Sequence, residues 1–245
     1  MAQAAPADYK PMAEYWASRA VAGAEQLEQA LQSGNGVRAQ RAWNAMRPAY
    51  EHCETFSGTM FPKADTAIDQ HPVGAPAKAG EHAIERLLFA GGAAQSADFE
   101  RAEALAAAVT KQAKQFRTAI EQTDFNAHAQ TLMNGLTGLA HELGHAKMAY
   151  PESPFSNTSL RDYRNNIIAI QETYALAFRP QLQQENGALD QAITADIIRL
   201  AGVLNAASGY ARLDKAAARQ ASTALVADLQ EAAGQLGLQP AELEE

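Results

Sequence analysis

The sequence predicts an all-α protein, and three observations lead to that fold class. The chain is rich in alanine and in Glu, Gln, Leu and Arg, whose side chains lose little rotamer freedom in a helix. Apolar residues recur three and four positions apart over long stretches, whereas Gly and Pro cluster in a few short segments. We find no segment with the pattern of a strand. Long helices between sparse breaks are typical of helical bundles.

The first two helices are predicted from apolar spacing and a glycine-containing turn. A helix begins at Tyr9 or Pro11 and ends at Gln32, because its apolar residues fall at helical spacing. The segment Ser33–Gly36 ends it, and a second helix is expected over Val37–Phe56. Proline lacks a backbone N–H, so Pro48 should kink this second helix.

Proline-rich sequence follows, and then two more helices. The segment Gly58–Gly80 contains three prolines and is expected to be a loop with a short helix over Lys63–Ile68. A helix over Glu81–Phe89 should end before the glycine pair Gly91–Gly92. The next helix should run to Gln122, with Ser96 or Asp98 as its N-cap.

The sequence pattern in the second half of the chain predicts four further helices. They cover Asn126–Tyr150, then a segment from an Asn157 or Thr158 cap to Gln184, then Ala188–Ala207 and Asp214–Leu236. The segment Pro151–Pro154 separates the first two of these. We interpret the chain as one unit of two packed four-helix bundles, residues 9–124 and 125–240.

Composition excludes several classes of protein. The formal charge of −8 argues against nucleic acid as a partner, because phosphate binding needs a basic surface. No run of about 18 apolar residues occurs, so no membrane insertion is expected. Cys53 is the single cysteine, so an intrachain disulfide is impossible. The small residues after Met1 suggest an exported chain without its signal peptide, which predicts a periplasmic or cell-surface location.

Two short patterns place acidic and imidazole groups three residues apart. They are Glu51-x-x-Glu54 and His82-x-x-Glu85. Residues three or four apart share one helical face and can therefore share a ligand. Each pattern alone is common on solvated helices. Cys53 is expected to be a small packed residue and not a ligand.

A third pattern matches a known catalytic signature. His141-Glu142-Leu143-Gly144-His145 has the spacing with which zinc metallopeptidases bind their metal and activate water. No third ligand is evident from the pattern, although Glu172 is a candidate. A zinc peptidase is therefore one alternative function, and the roles of His141 and His145 stay open.

In their order and spacing, these segments resemble the imelysin-like family, specifically the EfeO and EfeM periplasmic iron-uptake proteins. The family hallmark Gly-x-His-x-x-Glu is matched by Gly80, His82 and Glu85. Its Tyr-Glu-x-x-Glu helix and the segment ending in Ile-Asp are matched by Tyr50–Glu54 and Phe61–Asp69. The segment Ser156–Tyr163 is similar to a further family segment, although Asn157 and Ser159 replace the usual His and Asp.

The resemblance implies a metal site between helices. Asp69 is the family match, although the spacing leaves Asp65 open, and Glu142 falls where the family carries a glutamate. The resemblance suggests iron as the bound metal, with zinc, copper or manganese as alternatives that the donor types also suit. The implied ligands are Glu51, Glu54, Asp69, His82, Glu85 and Glu142.

The resemblance implies a binding protein of an iron-uptake system, with a membrane permease as its partner, and it favours binding over catalysis. One family member is associated with alginate, so binding of an acidic polysaccharide is a second possibility. Aromatic residues that could stack on such a polymer are Trp43 and Tyr163, and arginines that could bind it are Arg38, Arg41, Arg47, Arg161 and Arg164.

Overall fold

The computed structural model describes residues 6–70, 77–90 and 96–243, and the residues in these ranges form helices and turns without a strand. The predicted all-α fold class is confirmed. Single turns of 3-10 helix cover Ala7–Tyr9, Phe125–His128 and Tyr210–Arg212. The α-helices are α1 Lys10–Gln32, α2 Gly36–Glu51, α3 Ser57–Met60, α4 Pro62–Ile68, α5 Gly80–Phe89, α6 Ser96–Gln122, α7 Ala129–Glu142, α8 Ala146–Ala149, α9 Ser159–Thr173, α10 Arg179–Glu185, α11 Gly187–Ala206 and α12 Lys215–Gln235.

Local chemistry accounts for the first helix boundaries. Gly34 adopts a φ of 67° after α1, and the side chain of Asn35 accepts a hydrogen bond from the backbone N–H of Arg38 to cap α2. The predicted helix to Phe56 is wrong at its end, since α2 stops at Glu51, three residues beyond Pro48. The following turn buries the ring of Phe56 in the core.

The helix predicted over Asn126–Tyr150 is interrupted. A turn at residues 143–145 separates α7 from α8. A Cβ at Gly144 would clash with the side chain of Ser222 on α12, so the chain passes close to that helix here. His141 and His145 therefore do not belong to one continuous helix.

The helix predicted to reach Gln184 is also divided. A π-helical turn over Tyr174–Phe178 follows α9, and α10 begins with Pro180 in its first turn. Proline is tolerated there because its missing N–H would have no partner within the helix. The expected glycine break at Gly91–Gly92 and the N-terminal residues 1–5 lie outside the described residues.

The helices pack in two sets. In the first set, α1 and α5 each pack on α2 and α6, and in the second, α7 and α11 each pack on α9 and α12. The sets meet where α2 packs on α9 and α3 on α7, and one continuous apolar cluster runs through both. The division at about residue 124 remains our interpretation of this packing. Within the described ranges, no helix has both the length and the apolar character needed to cross a membrane.

Candidate metal centre

Polar side chains from four separate segments meet in the interior where α2 packs on α9. Glu51 ends α2 and Glu54 lies in the turn that follows. Asp69 follows α4, and His82 lies on α5. The fifth group is Glu152, from the loop between α8 and α9. Four of the six residues predicted as ligands are thus brought together, and Glu152 joins them.

The glycine of the Gly-x-His-x-x-Glu motif has a structural reason. Gly80 has a φ of 72°, and a Cβ there would lie 2.5 Å from the carbonyl oxygen of Ile68. Only glycine fits both the backbone conformation and this close approach. The start of α5 therefore lies directly against the end of α4, which brings His82 within 3.1 Å of Asp69 Oδ1.

Arg47 occupies the middle of this acidic group. Its side chain is completely buried, and its guanidinium donates to Glu51 and Asp69. The same guanidinium donates to Glu81 Oε2 at 3.0 Å and to Glu152 Oε1 at 2.9 Å. One fixed cation therefore orients four buried carboxylates, each through one of its oxygens.

A second buried cation lies on the other side of Glu152. Lys147 Nζ is 2.7 Å from Glu152 Oε2 and 3.0 Å from Glu54 Oε2. Asn166 of α9 donates from Nδ2 to Glu51 Oε2 at 2.8 Å and to Glu54 Oε2 at 2.9 Å. Glu54 Oε1 and Asn166 Oδ1 are buried without a hydrogen bond from another protein group. These two oxygens are acceptors that a cation would satisfy.

Burial sets the protonation of the acids. It raises the pKa of Glu51 well above the usual value, against the opposing attraction of Arg47. Burial, together with repulsion from Glu51, likewise raises the pKa of Glu54. Burial raises the pKa of Glu81 to about 7 although Arg47 opposes it. Full ionisation of these buried acids is therefore unfavourable unless further positive charge enters the cluster.

His82 is held as a cation by its neighbours. Burial alone would lower its pKa, but the carboxylate of Asp69 outweighs this and raises the pKa of His82 to about 10. A metal ligand must be a neutral imidazole, so a bound ion would replace this proton.

Among the described residues, two groups of three potential ligands come together. In each group the ligand atoms lie within 4.8 Å of one another. Both groups include Glu152, so they are adjacent parts of one cluster of side chains. Oxygen donors with one imidazole suit iron, manganese or zinc. The groups are Asp69, His82 and Glu152, and Glu51, Glu54 and Glu152.

Glu85 is placed to hold the loop that carries Glu152. Its Oε1 accepts hydrogen bonds from the backbone N–H groups of Phe155 and Ser156, at 3.0 and 2.8 Å, and from the hydroxyl of Ser156 at 2.7 Å. Its Oε2 lies 3.6 Å from His82 Nδ1. Glu85 therefore positions both the imidazole and the loop.

The two aspartates left open by the spacing have different surroundings. Asp65 Oδ1 accepts from the hydroxyls of Tyr50 and Ser57, at 2.8 and 2.5 Å. Asp69 instead contacts Arg47 and His82. Asp69 is therefore the aspartate of the cluster, and Asp65 fixes the turn after α2.

Glu142, the sixth predicted ligand, is exposed at the end of α7 and belongs to neither group of potential ligands. The acid from this part of the chain is Glu152, ten residues further on. Sequence reasoning missed it because the loop around Pro151 has no periodicity. Lys147 lies between Ala146 and Met148, and the sequence gives no sign that its charge is buried.

The peptidase-like signature does not form a site of three ligands among the described residues. The rings of His141 and His145 stack with centroids 4.0 Å apart. Glu172, the candidate third ligand, instead binds His52 Nδ1 at 2.8 Å and accepts from Trp16 Nε1 at 3.1 Å.

The aromatic residues considered for polysaccharide stacking are buried. Trp43 and Tyr163 have no exposed surface, and Arg47 is equally buried. Arg164 donates to backbone carbonyl oxygens, including that of Leu204 near the end of α11. The expectation that Trp43 and Tyr163 stack on a sugar is therefore wrong, because both fill the core. Cys53 is also buried, and its thiol donates to the carbonyl of Ala49, as expected of a packed residue.

The chain is similar in sequence to bacterial lipoproteins. Lipoproteins of the EfeM/EfeO family from Staphylococcus aureus strains MSSA476 and MW2 are 24% identical over 176 residues, covering 70% of this chain. The chain spans 60% of the length of these relatives.

A crystal structure from Parabacteroides distasonis, described as an iron-regulated protein A precursor, superposes with a TM-score of 0.77. It is 17% identical, and the match covers 94% of both chains, which shows a shared fold. The family model described as imelysin matches residues 5–236. Since that match covers nearly the whole chain, the resemblance expected from the motifs is confirmed, and the protein belongs to the imelysin family.

Proposed function

We propose that this protein binds a metal cation of the iron type in the cell envelope, as part of an uptake system. The observation that carries the proposal is the imbalance of buried charge around Arg47. Two permanent cations, Arg47 and Lys147, and the imidazole of His82 face a larger number of carboxylates. The carboxylates are Glu51, Glu54, Asp69, Glu81, Glu85, Glu152 and Asp162.

The physical argument concerns the cost of burying charge. An isolated buried carboxylate is strongly unfavourable unless it is paired or coordinates a metal. A multivalent cation supplies the missing positive charge and satisfies acceptors such as Glu54 Oε1 and Asn166 Oδ1. Oxygen ligands with one imidazole suit iron, manganese and zinc. We infer iron among them because of the family resemblance, with copper as a further alternative.

The relatives support an inference about the location and partner of the protein. The similar Staphylococcus aureus proteins are described as lipoproteins of the EfeM/EfeO family. We infer a periplasmic or cell-surface location and delivery of the ion to a membrane permease. The ion is cargo in this scheme, so the site does not need the open coordination position that a catalytic metal requires.

Calorimetric titration of the chelator-treated protein with Fe²⁺ under anaerobic conditions, and with Zn²⁺ and Mn²⁺, tests the proposal. We expect saturable binding whose affinity falls by at least about tenfold in Asp69→Asn and in His82→Ala. Even mutation of residues that only orient the ligands typically lowers metal affinity by about 10- to 100-fold. Asp65→Asn is the matched control. It removes a carboxylate charge on α4 and lies outside the cluster, and it keeps the Oδ1 acceptor for Tyr50 and Ser57, so its Kd should stay at the wild-type value.

Two results would overturn the proposal. One is the absence of binding of any of the three ions to the wild-type protein. The other is an equal loss of affinity in Asp69→Asn and Asp65→Asn, which would indicate that general charge and not the cluster attracts the ion.

A further inference from the structure

The two buried cations, Arg47 and Lys147, lie on different kinds of helix, so their side chains differ in how easily they could move to the surface. Arg47 lies within the long helix α2, and its side chain has no exposed surface. Lys147 lies on α8, a helix of four residues, and its neighbours Ala146 and Ala149 are exposed. The helix α8 therefore lies at the protein surface, and the side chain of Lys147 points inward from it.

The ammonium of Lys147 stands where an ion would stand. Nζ lies 3.0 Å from Glu54 Oε2 and 2.7 Å from Glu152 Oε2. These two carboxylates, with Glu51, form one of the groups whose ligand atoms converge within 4.8 Å. An ammonium and a metal ion cannot share the same carboxylate oxygens at short distance, because both are cations and repel each other.

Arg47 does not compete with a metal ion for the same carboxylate oxygens. It binds Glu152 through Oε1 and Glu51 through Oε1, and leaves Glu152 Oε2 to Lys147 and Glu51 Oε2 to Asn166. An ion entering between Glu51, Glu54 and Glu152 can therefore use the second oxygens while Arg47 stays. It must take the position of Lys147.

We propose that Lys147 is a tethered counter-ion that holds the metal centre in its metal-free form and is displaced to the surface when the ion binds. This inference rests on the proposed function and adds how the site is kept assembled without its ion. The four-carbon stem of lysine allows the ammonium to reach water while the stem stays on apolar surface. The ring of Tyr163, whose centroid is 5.6 Å from Nζ, lines the position that the ammonium vacates.

Amine labelling tests the displacement in the unmodified protein. An amine-reactive ester is applied to the chelator-treated protein and to the same protein saturated with Zn²⁺, and labelled lysines are quantified by mass spectrometry. We expect labelling of Lys147 to rise at least about tenfold with Zn²⁺, as for a group moved from a protected to an exposed state. Lys114, whose side chain is 51% exposed on α6, is the internal control and should label equally in both samples.

A variant gives a second, independent measurement. Lys147→Met keeps the length of the side chain and removes the competing charge, so its Kd for Zn²⁺ should fall at least about tenfold. Arg161→Met is the control for general electrostatics, because Arg161 lies beside the cluster through Asp162 but contacts neither Glu54 nor Glu152. Its effect on Kd should be smaller.

The outcomes separate this inference from the proposed function. If the wild-type protein binds none of Fe²⁺, Zn²⁺ and Mn²⁺, the function itself fails. Otherwise the displacement is tested with whichever of these ions binds. If the protein binds that ion while Lys147 stays as protected as in the metal-free sample, the displacement is refuted and the function stands. The displacement is refuted equally if Lys147→Met binds that ion no more tightly than Arg161→Met.

Discussion

Replacing Arg47 by methionine should be among the most damaging single changes in this protein. Methionine fills a similar volume but leaves Glu51, Asp69, Glu81 and Glu152 without the cation that pairs them. Each of these carboxylates is buried, so solvent cannot replace the guanidinium. Removing one partner of a buried ion pair typically costs about 3–5 kcal/mol.

The structure places the expected loss near the middle of that range, because two effects oppose each other. Arg47 serves four carboxylates, so its loss leaves several charges uncompensated at once. Protonation of the acids limits the damage, because burial has already raised the pKa of Glu51 and Glu81. We therefore expect the free energy of unfolding of Arg47→Met to fall by about 4 kcal/mol.

Urea denaturation followed by circular dichroism measures this loss. Arg199→Met is the matched control, because the side chain of Arg199 is 58% exposed where it pairs with Asp196, and an exposed ion pair contributes about 0–1 kcal/mol. A loss in Arg47→Met as small as that in Arg199→Met would refute the reasoning. It would mean that the carboxylates are not held together by this guanidinium.

Two further predictions concern packing and the site. Gly135→Ala should destabilise the protein, because the added Cβ would clash with the carbonyl oxygen of Thr55. Gly138→Ala should instead stabilise α7 by about 1 kcal/mol, because a Cβ there meets nothing within 4 Å and alanine favours helix over glycine. Thermal unfolding compares the two variants, and equal melting temperatures would contradict the prediction. Glu152→Gln should weaken metal binding at least about tenfold while Glu142→Gln leaves it unchanged in calorimetry, and the reverse order would return the ligand to α7.

The sequence predicted most helices because their signals are local. Apolar spacing placed both ends of α1 and of α11 to within one residue. The Asn186 cap of α11, like that of α2, depends on a side chain bonding a backbone N–H three residues later. Such contacts span one turn, so they can be read from neighbouring residues.

Part of the candidate metal centre could also be predicted. Four of its residues were predicted as ligands because their order and spacing match the motifs of the imelysin-like family. They are Glu51, Glu54, Asp69 and His82. Spacing within one helix could not have shown that α2 and α5 face each other. The resemblance supplied that information, and Gly80 is its visible structural cause.

The tertiary structure alone decided which other groups enter the site. Glu152 lies in a loop without periodicity, and Glu85 reaches it only because α5 packs beside that loop. The break after Glu142 follows from the close approach of α12 at Gly144, a contact between residues far apart in the chain. Arg47 and Lys147 look like ordinary helix charges in the sequence. Their role arises from burial, because only in the interior does a cation become necessary to hold carboxylates from distant segments together.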